Sequence, residues 1–286
     1  MLTSAVLLFV VAHALVEGRP NPGILFHDEE DLGVGDLLAS FGEALFSIPD
    51  NKTGLAVANW NTSSPHNVEE LGSYPEGDII FPRPRARNGL KATSARWPGG
   101  RVPYVIGASF SSHDLSMIEA AIQEYHKRTC VRFVPRSSEM DYIVITSGPT
   151  GCWSSVGRIG GAQELNLQSP GCLVKKGTVM HEMMHALGFL HEQNRWERDQ
   201  YVTVNFQNIQ PGRESNFDKA KKSDTDSMGI SYDYKSVMHY SANAFSSNGQ
   251  PTIVPKQPGI ELGQRDNASK QDIQKIRRMY RCKKVH

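Results

Sequence analysis

Between positions 181 and 191 the chain reads H-E-M-M-H-A-L-G-F-L-H. His181 and His185 are four residues apart, so on a helix they stand on one face, one turn apart, and both imidazoles reach a single ion. Gly188 suits a positive φ, which ends the helix and turns the chain so that His191 brings a third nitrogen. Three neutral ligands leave a position open for water, the pattern of a catalytic rather than a structural zinc. Such an ion lowers the pKa of that water to about 7, and Glu182, beside His181, is placed to take its proton and pass it to a leaving amine. A bare H-E-x-x-H arises by chance in roughly one such chain in a hundred, and the full string in roughly a few per 10⁵. Gly188 and His191 therefore carry the zinc reading.

The spacing H-E-x-x-H-x-x-G-x-x-H is that of the metzincins. Its continuation, Phe189-Leu190-His191-Glu192 with Arg195, Arg198 and Asp199, resembles the astacin family of zinc endopeptidases. Ser236-Val237-Met238-His239-Tyr240 resembles that family's Met-turn, and the likeness runs over about residues 97–282, including Gly-Cys-Trp-Ser around Cys152 and Gly-Gln-Arg at 263–265. The resemblance implies an endopeptidase acting on extended protein or peptide substrates, with one Zn²⁺ per chain. It implies that Met238 packs beneath the zinc and that Tyr240 is a displaceable extra ligand that stabilises the tetrahedral intermediate. Arg265 matches the arginine that lines the primed-side pocket in tolloid-like and meprin-like relatives, which implies a preference for Asp or Glu after the scissile bond. Its competing role is to anchor the last helix through Asp272. Residues 162–167 are expected to be an exposed strand that pairs with the substrate backbone.

Glu76-Gly77-Asp78 resembles the family's prosegment motif, in which an aspartate, here Asp78, takes the place of water on the zinc. A zymogen follows, opened by a trypsin-like protease at the basic, proline-spaced stretch ending in Arg87. The new N-terminus is expected at Asn88, and the family buries that amine near the glutamate after the third histidine, here Glu192. Residues 19–87 carry five basic and eleven acidic side chains, and residues 88–286 carry 26 and 18. An acidic leader thus faces a basic body, as an inhibitory segment and its enzyme would.

The elements that must position these groups are legible from periodicity. Residues 101–106 read as a strand, and 131–134 and 142–146 as short apolar strands. Ser111 and Asp114 begin an amphipathic helix with Leu115, Ile118, Ile122 and Tyr125 on one face, running to about Lys127. Thr178 is expected to cap the helix 179–187 that bears the histidines. The chain then reads as irregular from Tyr201 to a last helix over 270–280. Strands and helices without strict alternation indicate an α+β domain. The resemblance adds two lobes, a twisted, mostly parallel sheet and an irregular C-terminal lobe.

The 286 residues accommodate one substantial domain with extra segments. Residues 2–16 are nearly all apolar and too short for a comfortable bilayer span, which gives a signal peptide over 1–18, a propeptide over 19–87 and a catalytic domain over 88–286. The product is expected to be secreted, monomeric and free of a membrane anchor. Cys130, Cys152, Cys172 and Cys282 suggest two disulfides, for which the count alone allows three pairings. The resemblance implies Cys130–Cys282 and Cys152–Cys172. Asn51, Asn61 and Asn267 open N-x-[ST] sequons, candidate glycosylation sites. Basic residues are dispersed among acidic ones, which argues against nucleic-acid binding. The propeptide is too poor in apolar residues to build a core alone and needs a partner surface.

Overall fold

The computed structural model describes residues 48–81, 95–223 and 225–283. The expected signal peptide, the basic stretch 83–87 and Asn88 lie outside them. A five-stranded sheet has the order β2-β1-β3-β5-β4, with β1 Arg101–Ile106, β2 Arg132–Pro135, β3 Tyr142–Thr146, β4 Cys152–Ser154 and β5 Ala162–Leu167. Four strands are parallel and β4 is antiparallel to β5. The helices are α1 Asn51–Ala58, α2 Ser112–Arg128, α3 Lys176–Ala186 and α4 Lys270–Met279. Among the described residues no helix is long and apolar enough to cross a membrane.

Residues 162–167 do form a strand, but not the exposed one expected. β5 pairs with β3 over residues 162–166, and β4 covers its other side over Leu165–Leu167, so the half of the strand that carries the two leucines has no free edge to offer. The alternation of Leu165 and Leu167 with polar residues reflects which faces are buried, not which edge is open. The edge strand on this side of the sheet is β4, which begins at Cys152, and β2 forms the opposite edge.

α2 begins with a reciprocal capping box between Ser111 and Asp114 and buries Ile118, Ala121, Ile122 and Tyr125. Leu115 faces solvent instead, and Ala121 takes a place on the buried face. Tyr125 reaches α3, donating its hydroxyl to the Met180 carbonyl at 2.6 Å. α3 is buried from Gly177 to Ala186. Thr178 is not its cap: the helix starts at Lys176, and the Gly177 N–H donates to the Arg265 carbonyl at 3.0 Å. A tertiary carbonyl thus takes a free helix-end donor that a side chain was expected to satisfy. A Cβ on Gly177 would stand 2.1 Å from that carbonyl oxygen, so only glycine permits the approach.

The C-terminal lobe is less regular. It holds the two-stranded sheet of β6 Val202–Val204 and β7 Ile253–Pro255, not foreseen in the irregular stretch, and a core that includes Phe217, Tyr232, Tyr240 and Phe245. The disulfides are Cys130–Cys282, tying the end of α2 to the chain after α4, and Cys152–Cys172. The described upstream residues pack on the domain. Val57 of α1 and Val68 join the main core beside Cys152 and Cys172, and Tyr74 donates its hydroxyl to the Thr150 carbonyl.

Candidate metal centre

α3 places His181 and His185 on one face, and Leu187 and Gly188 end the helix. Gly188 has φ +106°, a conformation that side chains rarely adopt, and the turn carries the chain back to His191. The three Nε2 atoms converge: His181 lies 3.1 Å from His185 and 3.2 Å from His191. Asp78 Oδ2 lies 2.9 Å from His181 Nε2 and 3.4 Å from His191 Nε2. The ligand-type atoms of these four residues all fall within 4.8 Å of one another, and all four residues are buried. Their chemistry fits a cation. Ring nitrogens turned inward against one another need a positive charge between them, and Asp78 Oδ1 is buried without a hydrogen-bond donor.

The field agrees. Burial opposes a charge on His191, yet the Asp78 and Glu76 carboxylates outweigh it and lift the ring to about 10. His181 is instead pushed down to about 4 by burial. Asp78 is buried, but the histidines around it hold its carboxyl well below the usual range. Glu182 is fully buried and neither carboxylate oxygen has a hydrogen-bond partner. Burial, then the charges of Asp78 and Glu69, drive its pKa well above the ordinary value.

The outer nitrogens are held from elsewhere. His181 Nδ1 donates to the Val237 carbonyl at 2.8 Å, His185 Nδ1 to the Phe189 carbonyl at 2.7 Å, and His191 Nδ1 to Glu76 Oε2 at 2.6 Å. The Val237 loop is clamped by Asp272 of α4, which accepts from Ser236 Oγ at 2.6 Å and from the Val237 N–H at 2.8 Å. Asp272 thus orients His181 through this loop, a role invisible in the chain except as half of a capping box. Met238 is buried in the main core next to that loop. Tyr240 is not among the four converging groups. Its ring lies 4.6 Å from that of His191, and its hydroxyl donates to the Glu76 carbonyl at 2.6 Å. Glu192 accepts from Lys275 Nζ at 2.5 Å and from Arg195 at 2.9 Å.

The segment bearing Asp78 adds to the open edge of β4. The Ser154 N–H donates to the Asp78 carbonyl and the Ile80 N–H to the Ser154 carbonyl, both at 3.0 Å, in a parallel bridge. Arg265 is buried against Glu69, its Nε donating to Oε1 at 2.5 Å, while Nη1 donates to the His239 carbonyl. Asp272 is not its partner, since that carboxylate serves the Val237 loop and the helix cap. Glu69 was missed in the sequence, and Glu76 was read only as part of the prosegment motif, with no contact assigned to it; their closeness to Asp78 in an acidic leader was the available signal. Asn51 and Asn61 are exposed, and Asn267 is partly buried.

A family model described as Astacin (Peptidase family M12A) matches residues 89–281. The chain is 47% identical over 197 residues to zinc metalloproteinase nas-13 of Caenorhabditis elegans, covering 68% of this chain and 43% of that protein. It is 43% identical over 216 residues to zinc metalloproteinase nas-7 of the same organism, covering 75% and 56%. The chain thus spans about half the length of the curated relatives it matches. The solved structure of high choriolytic enzyme 1, a hatching-enzyme zinc protease of Oryzias latipes, superposes with a TM-score of 0.61 at 38% identity, covering 72% of this chain and all of that one.

Proposed function

The chain belongs to the astacin family, peptidase family M12A, and from that premise we propose that it is a secreted zinc endopeptidase held latent by its own upstream segment. The observation that carries this reading is the convergence of three histidine Nε2 atoms and the Asp78 carboxylate beside a buried, unpartnered Glu182.

His181, His185 and His191 would hold the zinc through Nε2. When bound, zinc supplies Lewis acidity that polarises a carbonyl and makes a water nucleophilic near neutral pH. In the precursor the Asp78 carboxylate would block that chemistry by taking the place of water among the ligands. A trypsin-like cut after Arg87, within the propeptide–domain boundary at 87/88, releases the segment 19–87. With Asp78 gone, one of the charges that raise the Glu182 pKa is removed, so its Oε atoms are better able to accept a proton from a water and return it to the leaving amine. The Tyr240 hydroxyl, freed from the Glu76 carbonyl, would donate toward the oxygen that gains charge in the tetrahedral intermediate. The outer edge of β4, vacated by residues 78–80, suits an extended substrate backbone. Arg265, vacated by Glu69, suits an acidic side chain after the scissile bond. A monomer glycosylated at one or more of Asn51, Asn61 and Asn267 completes the reading.

The test is Glu182→Ala. The variant is expected to keep its zinc by metal analysis and to lose nearly all cleavage of casein or a quenched peptide after activation. Substantial remaining turnover would remove Glu182 from the mechanism. An activated, unmutated chain with no turnover would leave a binding protein with a protease fold.

A further inference from the structure

Each of the three histidines turns Nε2 inward and Nδ1 outward, but their outer bonds differ in ownership. Val237 and Phe189, the acceptors for His181 and His185, are backbone carbonyls of the domain itself and remain whatever happens upstream. The acceptor for His191 is the Glu76 carboxylate, which belongs to the upstream segment. Glu76 is held there closely. Only 5% of its surface is exposed, its N–H donates to Asn216 Oδ1 at 3.1 Å, and its carbonyl accepts from Tyr240. It does so at φ +50°, in the left-handed region. A side chain there costs free energy that glycine avoids, and the next residue, Gly77 at φ +90°, is a glycine. A turn that needed shape alone would be served by glycine at both positions. The retained carboxylate points to a task for the side chain.

We propose that Glu76 is a positioning residue of the zinc site, so that the upstream segment strengthens zinc binding through His191 besides blocking the centre through Asp78. An outer carboxylate fixes the imidazole tautomer and ring plane and raises the basicity of the ligating nitrogen. The precursor is therefore the form that holds zinc more tightly, and release of the segment leaves His191 as the ligand without its carboxylate partner. The inference rests on the zinc and prosegment reading above.

The experiment measures zinc affinity of the uncleaved precursor by competition with a chromophoric chelator, independent of peptidase activity. Glu76→Ala and Glu76→Gly are compared with the unmutated chain, each with Asp78 present and in an Asp78→Ala background. Both substitutions are expected to weaken zinc roughly ten- to a hundredfold, the usual loss for an outer-shell partner. Glu76→Gln, which keeps an acceptor without the charge, is expected to lose less. Glycine relieves the backbone, so an affinity within about twofold of the unmutated precursor for Glu76→Gly overturns the proposal. It also fails if the Glu76→Ala loss disappears in the Asp78→Ala background, because the effect would then run through Asp78. The released domain lacks residue 76 and reports separately on the enzyme reading. If it binds zinc but cleaves nothing, that reading falls while the affinity comparison stands.

Discussion

At the scale of the residue, Arg265 makes the sharpest demand. It is buried at 1% exposure, its partner Glu69 is equally buried, and Nη2 of Arg265 and Oε2 of Glu69 have no partner. Removing one member of such a pair leaves an uncompensated charge, so the vacated pocket calls for another carboxylate. Peptides that differ only as Asp, Asn or Ala after the scissile bond are expected to separate on the activated chain. Asp should lead by about 1.5–3 kcal/mol, roughly ten- to a hundredfold in kcat/KM. Arg265→Ala is expected to erase the preference while sparing the Ala peptide. Equal rates on all three peptides would assign Arg265 to structure alone.

At the scale of the element, the docking of α1 depends on one close approach. Asp50 caps the helix by accepting from the Thr53 N–H at 2.7 Å, and a Cβ on Gly54 would fall 1.7 Å from the Pro149 carbonyl oxygen. Gln168 donates to the Gly54 carbonyl at 2.8 Å across the same contact. Gly54→Val is expected to unseat the helix at a cost of about 1–3 kcal/mol, as overpacking does. Residual activity of the uncleaved precursor should rise and the segment should become more sensitive to limited proteolysis, though no group of the metal centre has changed. A variant as latent and as protected as the parent would show that α1 contributes nothing to the block.

At the scale of the molecule, the four candidate ligands join three stretches of chain: the upstream segment, α3 and the loop after Gly188. A metal bound there stabilises the folded arrangement by mass action, by about 2.7 kcal/mol at a free concentration one hundred times Kd. Removing zinc from the precursor with a chelator is expected to lower Tm and to increase proteolysis of residues 48–81, and added zinc should restore both. A precursor whose Tm and digestion pattern ignore the chelator would contradict a metal that joins segment to domain.

The sequence by itself determined the groups whose geometry is local. Two histidines four apart must share a helix face, a glycine three positions on permits the turn, and the cap at Ser111 and Asp114 starts its helix wherever that helix packs. The strands at 101–106, 142–146 and 162–167 were legible for the same reason, since short apolar runs and the alternation of Leu165 and Leu167 are written in neighbouring residues. Only the tertiary structure decided which partners those groups take. The acceptor for His191 lies 115 residues away and the carboxylate on Arg265 lies 196 away. Thr178 lost its capping role to a carbonyl brought in by residue 265, and β5 lost its edge over residues 165–167 because β4 folds back antiparallel beside it. Such choices depend on which surfaces meet once the chain collapses, and residue periodicity carries no record of that.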